Sequence, residues 1–339
     1  MTAELRRSER QRMPDSRPAT DDPRQNAEAL IRLAAEGRLG PRISITCRGK
    51  DDGAGAQAIA AISAMTLARL TGSAYRHSPF TTMSHTDGDR AAWARSWERF
   101  LNLGHGEEPV PPDAELVPLA AMVRDPHAYA GRPVVIAELV YRIARSRAWP
   151  IHEQLRATLR ARYWLDSKAA LPVHGDPSHG LTAAVHVRRG DVTAEHPWRY
   201  VPEQRILRSI ERLRSAVAAI GRRLQVNLYS EGDPADFAAF ARAGCRLHIG
   251  TDAQETFHNM VVADILVRAP GNFSELAGLL SRGIVITPSV HSAPLSGTVR
   301  RRANGDFSIK GLQRTLLVRA SWMERRKFEA RRWLRRLLS

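Results

Sequence analysis

The sequence predicts an α/β protein whose parallel sheets carry helices on both faces. Three observations point there. Short apolar runs rich in β-branched residues alternate with segments of helical spacing, most regularly after residue 181. The 339 residues are enough for two such units, each expected to have its own core. Finally, residues 183–192, Ala-Ala-Val-His-Val-Arg-Arg-Gly-Asp-Val, form an apolar run that delivers charged groups to a loop. In open α/β sheets, ligands bind at such C-terminal strand ends.

Residues 1–25 are polar and proline-broken, which predicts a disordered or loosely attached tail. Residues 26–175 make the first unit. A short amphipathic helix (26–36) precedes a strand (42–47) in which Ile43 and Ile45 alternate, then a glycine-bearing loop (49–57) and an apolar helix running to Leu70. Residues 73–77 read as a second strand, 79–85 as a loop, 89–101 as a helix and 107–113 as a proline-rich linker. A further strand (133–137) and helix (155–164) follow. Residues 172–180, rich in His, Gly and Pro, fit a crossing between the two units.

The second unit, residues 181–300, alternates strictly. Strands are expected at 181–187, 224–229, 246–249, 265–267 and 284–287, and helices at 202–222, 236–243, 253–263 and 274–280. Asp252, with Glu255 three places on, reads as a helix N-cap. Residues 301–339 form a basic extension. From Trp322 to Leu338, tryptophans and aliphatic residues share one helical face and arginines cover much of the rest, a pattern suited either to an anionic membrane surface or to docking across the two units.

Composition narrows the function classes. Apolar residues are 43% and charged ones 25%, ordinary for a globular chain. With no apolar run long enough to span a membrane and no signal-peptide core, a cytoplasmic protein is expected, on the inner membrane surface if the C-terminal segment binds lipid. Cys47 and Cys245 are far apart and suggest neither a disulfide framework nor a zinc site. A net charge of +16 favours acidic partners, among them nucleotide diphosphates, anionic lipid and nucleic acid. Only four lysines contribute to it, so coding bias toward arginine explains part of the excess. Aromatics are 6% and are not interleaved with a basic patch, and no DNA- or RNA-binding motif is present, so no nucleic-acid partner is expected.

Two adjacent arginines cannot both enter a core uncompensated. At least one of Arg188 and Arg189 is therefore expected to face an anion, as a planar fork matched to phosphate oxygens, with Asp191 orienting the other. A plain Arg–Asp ion pair in a loop is the alternative. Ser274 opens the helix after strand 265–267, either as its cap or beside a phosphate held by the same N–H groups. Gly53, Gly55 and Gln57 start the helix after the first strand, as a turn that needs glycine or as a second binding loop. His174, Asp176 and His179, and the Asp87-Gly88-Asp89 string, have the composition of metal ligands but not the spacing, and Asp89 is better explained as a helix N-cap; no metal is expected.

His186-Val187-Arg188-Arg189-Gly190-Asp191 resembles the His-x-Arg-Arg-x-Asp segment of the α1,2-, α1,6- and protein-O-fucosyltransferase superfamily, which includes the bacterial nodulation fucosyltransferases. Asn272-Phe273-Ser274 resembles its phosphate-binding Phe-Ser turn, although Gly271 and Asn272 replace earlier serines and Glu275 stands where some members have Ser. Gly53, Gly55 and Gln57 are loosely similar to its glycine-rich loop, and residues 255–264 to the helix before the turn. The resemblance implies a GT-B fold, two Rossmann-like domains facing across a donor cleft. It also implies an inverting glycosyltransferase with GDP-fucose as donor substrate, no cofactor and no metal. The acceptor would be a glycan or lipid-linked glycan of bacterial surface polysaccharide or lipopolysaccharide.

In that frame Arg188 and Asp191 are the catalytic candidates. His186, Arg188, Arg189, Ser230, Asp252, His258, Phe273, Ser274, Gly53, Gly55 and Gln57 are the donor-binding ones. Asp191, Glu195 and Glu138 are candidates for the general base. A degenerate member that binds a nucleotide or glycan without turnover is one alternative, left open by Gly271, Asn272 and Glu275; a basic nucleic-acid-binding protein, motivated by the net charge alone, is the other.

Overall fold

A computed structural model describes most of residues 22–316. Outside the described residues lie 1–21, 40–42, 48–51, 87, 130–133, 138–148, 167, 177, 179, 191, 193–198, 289–297, 303, 310–311, 314–315 and 317–339, together with the side chains of 134–137 and 149–153. Asp191, Glu195, Glu138, Asp87, His179 and the C-terminal segment 322–338 are thus among the positions outside it.

Helix α1 (Pro23–Ala35) starts inside the expected tail. Asp22 caps it by accepting from the Arg24 N–H at 2.9 Å, and Pro23 fills a first-turn position where an N–H has no intrahelical partner. The first sheet is parallel, in the order β3-β2-β1-β5-β4, built from β1 (Ile43–Thr46), β2 (Ala74–His77), β3 (Glu108–Pro109), β4 (Glu115–Val117) and β5 (Val134–Ala137). The expected linker 107–113 therefore contains an edge strand. Pro109 fits there because an edge leaves one row of backbone donors unused. Around this sheet lie α2 (Ala54–Thr71), α3 (Arg90–Leu101), α4 (Leu119–Arg124) and α5 (Trp149–Tyr163).

The second sheet is also parallel throughout, in the order β11-β10-β9-β6-β7-β8. Its strands are β6 (Leu181–His186), β7 (Leu224–Ser230), β8 (Arg246–Ile249), β9 (Ile265–Val267), β10 (Ile284–Thr287) and β11 (Thr298–Arg300). Its helices are α6 (Glu203–Ala218), α7 (Ala238–Arg242), α8 (Ala253–Val262) and α9 (Asn272–Leu280). From β6 the chain moves outward to β7 and β8, then returns to the other side of β6 and moves outward again from β9 to β11. The order reverses between β6 and β9, which is where a sheet of this kind opens a crevice at its C-terminal edge.

Alternation along the strands divides the interior. Ala183, Val185, Val226, Leu228, Ile265, Val267, Ile284 and Ile286 face a core with α6 and Phe307, whereas Ala184, Tyr229, Leu266 and Val285 face the other way. That second face does not belong to the second unit alone. Its residues form one continuous cluster with Ile45, most of the α2 alanines, Trp97, Phe100, Phe257 and Leu276, so the two cores do not fall one to each unit. The reason lies in α2, which is buried from Ala54 through Ala68 on every side. A helix apolar all round needs covering all round, and helices of both units cover it.

Small residues let that covering come close. A Cβ placed on Gly55 would lie 2.5 Å from both the Cα and the N of Phe273, so the first turns of α2 and α9 are in backbone contact. At its other end α9 is held by α5. The Arg156 guanidinium donates to the carbonyls of Leu279 (3.1 Å) and Ser281 (3.3 Å), and that of Arg160 to the carbonyls of Leu280 (3.0 Å) and Ser281. These cations satisfy terminal carbonyls and complement the negative end of the helix.

Gly55→Ala is expected to destabilise the protein by about 1–3 kcal/mol, because backbone rather than a flexible side chain must give way. Equilibrium urea unfolding measures it; a midpoint equal to the wild type would mean that α2 and α9 are not in backbone contact.

Candidate functional site

The switch point between β6 and β9 carries the arginine pair, and strand alternation separates its two members. Val187 still follows the ladder, its N–H donating to the Tyr229 carbonyl at 2.9 Å, with its side chain in the α6 core. Arg188 therefore falls on the face shared with His186, toward α9, and Arg189 on the face toward α6. Arg189 is occupied locally. It donates to its neighbour's carbonyl and to that of Val201, both at 3.0 Å, and lies 4.4 Å over the Tyr200 ring, which ties the segment before α6 to the end of β6.

Arg188 sits at the start of α9. Its Nη1 donates to the Pro270 carbonyl at 3.3 Å and lies so close over Gly271 that a Cβ there would collide with it. Gly271, with φ 142°, is also the residue that turns the chain from the strand exit into the helix. Phe273 beside it packs edge-on against Trp97 (6.1 Å) and Phe257 (5.4 Å), and lies 5.8 Å from the His186 ring. Through Gly55 the first turn of α2 reaches the same point. His186, Arg188, Gly271, Phe273 and Gly55 are thus brought together, with N–H groups of two helix starts, an arrangement that favours an anion.

Other expected site residues are committed elsewhere. Ser274 does not cap α9; it is 1% exposed and its hydroxyl donates to the Ala269 carbonyl at 2.9 Å, because Gly271 rather than Ser274 is the residue at which the helix begins. Gln57 is 4% exposed and donates to the carbonyls of Asp52 (2.9 Å) and Thr82 (2.8 Å), closing the loops around Gly53, which opens α2. Asp252 caps α8 through the N–H groups of Gln254 and Glu255, both at 2.9 Å. Ser230 ends β7, its hydroxyl on the Glu231 carbonyl at 3.1 Å. His258 is buried against α5, with Nδ1 2.8 Å from the Tyr163 hydroxyl, and burial lowers its pKa. Asp89 caps α3 by accepting from Ala91 and Ala92, which lowers its pKa.

Glu275, the residue least compatible with a nearby phosphate, turns to Arg268, which its Oε2 meets at 3.2 Å. Arg268 and Arg301 were not anticipated. Both are almost wholly buried, at 2% and 5% exposure, and both directly follow a strand, as Arg188 follows the β6 run. Ile-Leu-Val-Arg at 265–268 and Thr-Val-Arg-Arg at 298–301 carried that signal.

The crossing segment is clamped by a polar cluster. The His174 ring stacks on His248 at 3.8 Å, its Nδ1 is 3.1 Å from the Tyr229 hydroxyl and its Nε2 3.0 Å from Glu255. Asn259 takes the His174 N–H at 2.6 Å and donates to the Pro172 carbonyl at 2.8 Å. His248 Nε2 lies 3.1 Å from Asn227. Burial, then His174, then Arg246 lower the His248 pKa to about 4.

No protein-family model and no curated protein sequence matches the chain. Among solved structures it is similar to the fucosyltransferase NodZ from Bradyrhizobium, at 10% identity and TM-score 0.37 over 72% of this chain and 93% of that one. A NodZ α-1,6-fucosyltransferase co-crystallised with GDP gives 10% identity and TM-score 0.39, over 80% of this chain and 98% of that one. A mutant FUT1 of Arabidopsis thaliana in complex with GDP gives 10% and 0.36, over 81% and 76%.

His248 is kept neutral in the folded protein and is free to protonate when unfolded. Its contribution to stability is therefore complete above pH about 6.5 and is lost as pH falls toward 4. Denaturation midpoints across that window are expected to fall more steeply for the wild type than for His248→Gln. Equal slopes would refute a neutral, half-buried His248.

Proposed function

We propose that the protein is a glycosyltransferase that moves fucose from GDP-fucose, with inversion, to a hydroxyl of a glycan or lipid-linked acceptor. One observation carries this: Arg188 seated over Gly271 at the reversal of strand order, beside the first turn of α9. Departure of the sugar leaves growing negative charge on the diphosphate. A fixed guanidinium and helix N–H groups already aimed at that place stabilise it without rearranging. Charge stabilisation is thus assigned to protein groups rather than to a metal ion. Arg189 acts indirectly in this reading, by fixing the end of β6 from its other face.

The pairing of Glu275 with Arg268 supports the same reading, because it directs a carboxylate onto a cation where it would otherwise oppose the phosphates. Fucose and guanine rest on the motif resemblance; the acceptor's hydroxyl is assigned to activation by Asp191, Glu195 or Glu138. Among the described residues no helix is long and apolar enough to cross a membrane. We assign membrane attachment to the segment 322–338, which brings the enzyme to a lipid-linked acceptor in bacterial surface polysaccharide or lipopolysaccharide synthesis.

Calorimetry with GDP, GDP-fucose, GDP-mannose, UDP-sugars and dTDP-sugars tests the donor. GDP and GDP-fucose are expected to bind best, and Arg188→Ala to lose about 1.5–3 kcal/mol, or roughly 10- to 150-fold in affinity. Preference for a uridine donor would remove fucose from the assignment, and binding with neither transfer nor hydrolysis would make the chain a non-catalytic binder. Truncation after Ala320 is expected to release the protein from anionic vesicles; undiminished sedimentation with them would refute the membrane assignment.

A further inference from the structure

Arg301 is a buried cation that the site as described so far does not use. Its N–H donates to the Thr287 carbonyl at 2.7 Å, continuing the pairing of β11 with β10 and fixing the residue at the C-terminal edge of the sheet. From there its side chain runs back across β10, and Nη2 reaches the Arg268 carbonyl at 3.4 Å. The guanidinium has five N–H donors, and this long bond is its one side-chain hydrogen bond among the described residues. No described carboxylate forms an ion pair with it, and burial alone lowers its pKa, to about 10, which leaves it charged at neutral pH. Arg268, by contrast, has Glu275.

The placement of this cation is informative. Arg188 donates to the Pro270 carbonyl and Arg301 to that of Arg268, so two guanidinium groups, one from each side of the β6–β9 junction, meet carbonyls two residues apart on one turn. Two residues span at most about 7 Å, a distance on the scale of a diphosphate. A carbonyl oxygen is only a partial counter-charge, and a guanidinium as buried as that of Arg301 is costly to keep without a full one. Its bond to the Arg268 carbonyl is long enough to give way to an anion that offers more.

We infer that Arg301 is a second diphosphate-binding residue of this site, gripping the phosphate that Arg188 does not. The inference rests on the reading of the turn as a nucleoside-diphosphate site, and it explains why a charge is retained under β11 where an apolar side chain would pack. It also assigns specificity, since a monophosphate reaches one arginine and a diphosphate reaches both.

The test uses the full-length protein, with Arg301→Met and Arg301→Lys, and reads two quantities: the thermal midpoint without added anion, and the dissociation constants of inorganic pyrophosphate, GDP and GMP. Arg301→Met is expected to unfold no earlier than the wild type without anion, to bind pyrophosphate and GDP at least tenfold more weakly, and to bind GMP within twofold of the wild type. Arg301→Lys is expected to fall between, because an ammonium keeps the charge and loses the fork. A lower midpoint for Arg301→Met with unchanged pyrophosphate affinity would show a merely structural arginine and overturn the inference. If Arg301→Met does not fold, Arg301→Lys decides: several-fold weaker pyrophosphate binding supports the inference and unchanged binding overturns it. Wild-type protein that binds pyrophosphate through Arg301 but no nucleoside diphosphate keeps the inference and removes the nucleotide-sugar reading. Wild-type protein that binds neither removes both.

Discussion

The first turns of α2 and α9 meet at Gly55 with no side chain between them, and the geometry of the switch point follows from that contact. Helix starts are the electropositive ends of helices, and bringing two together is unfavourable unless something negative sits nearby. The fold holds them there by other means. The all-apolar α2 is covered by helices from both sheets, the aromatic group of Trp97, Phe257 and Phe273 packs beside the contact, and Arg156 and Arg160 secure the far end of α9. The anion-favouring arrangement is thus a by-product of how the two sheets share their core.

Arginine does several distinct jobs around this point, and its chemistry explains why lysine could not replace it there. Arg156 and Arg160 each reach more than one carbonyl of a helix end, Arg189 bridges two backbone carbonyls while covering a tyrosine, and Arg268 answers a carboxylate. A planar group with five donors can serve two or three acceptors in one plane, whereas a compact ammonium is hard to desolvate and cannot span them. The backbone's otherwise unsatisfied carbonyls give several of these arginines a use.

Much of the second sheet was legible because its strands are apolar runs separated by helices of ordinary length, so period and punctuation agree at every step. β3 and β4 in the first sheet and β11 in the second were not, since two or three residues cannot display a period, and Pro109 argues against a strand everywhere except at an edge. The motif residues Arg188, Gly271 and Phe273 lie together, while Asp191 is outside the described residues. Ser274, Gln57, Asp252 and His258 looked like ligand residues because polar side chains near strand ends generally do; each instead satisfies a cap, a loop carbonyl or a buried hydroxyl. A local reading cannot separate these uses, because both require the same donor and acceptor groups.

By itself the sequence determined the strands β6 to β10 and, to within about a residue, where each one ends. Those are consequences of local alternation, a property of neighbours along the chain. The tertiary structure alone decided that Gly55 meets Phe273, that Arg188 rests over Gly271, and that Arg301 reaches across β10 toward the same turn. Each depends on groups far apart in sequence being placed within a few ångströms, and no periodicity or spacing records such a distance.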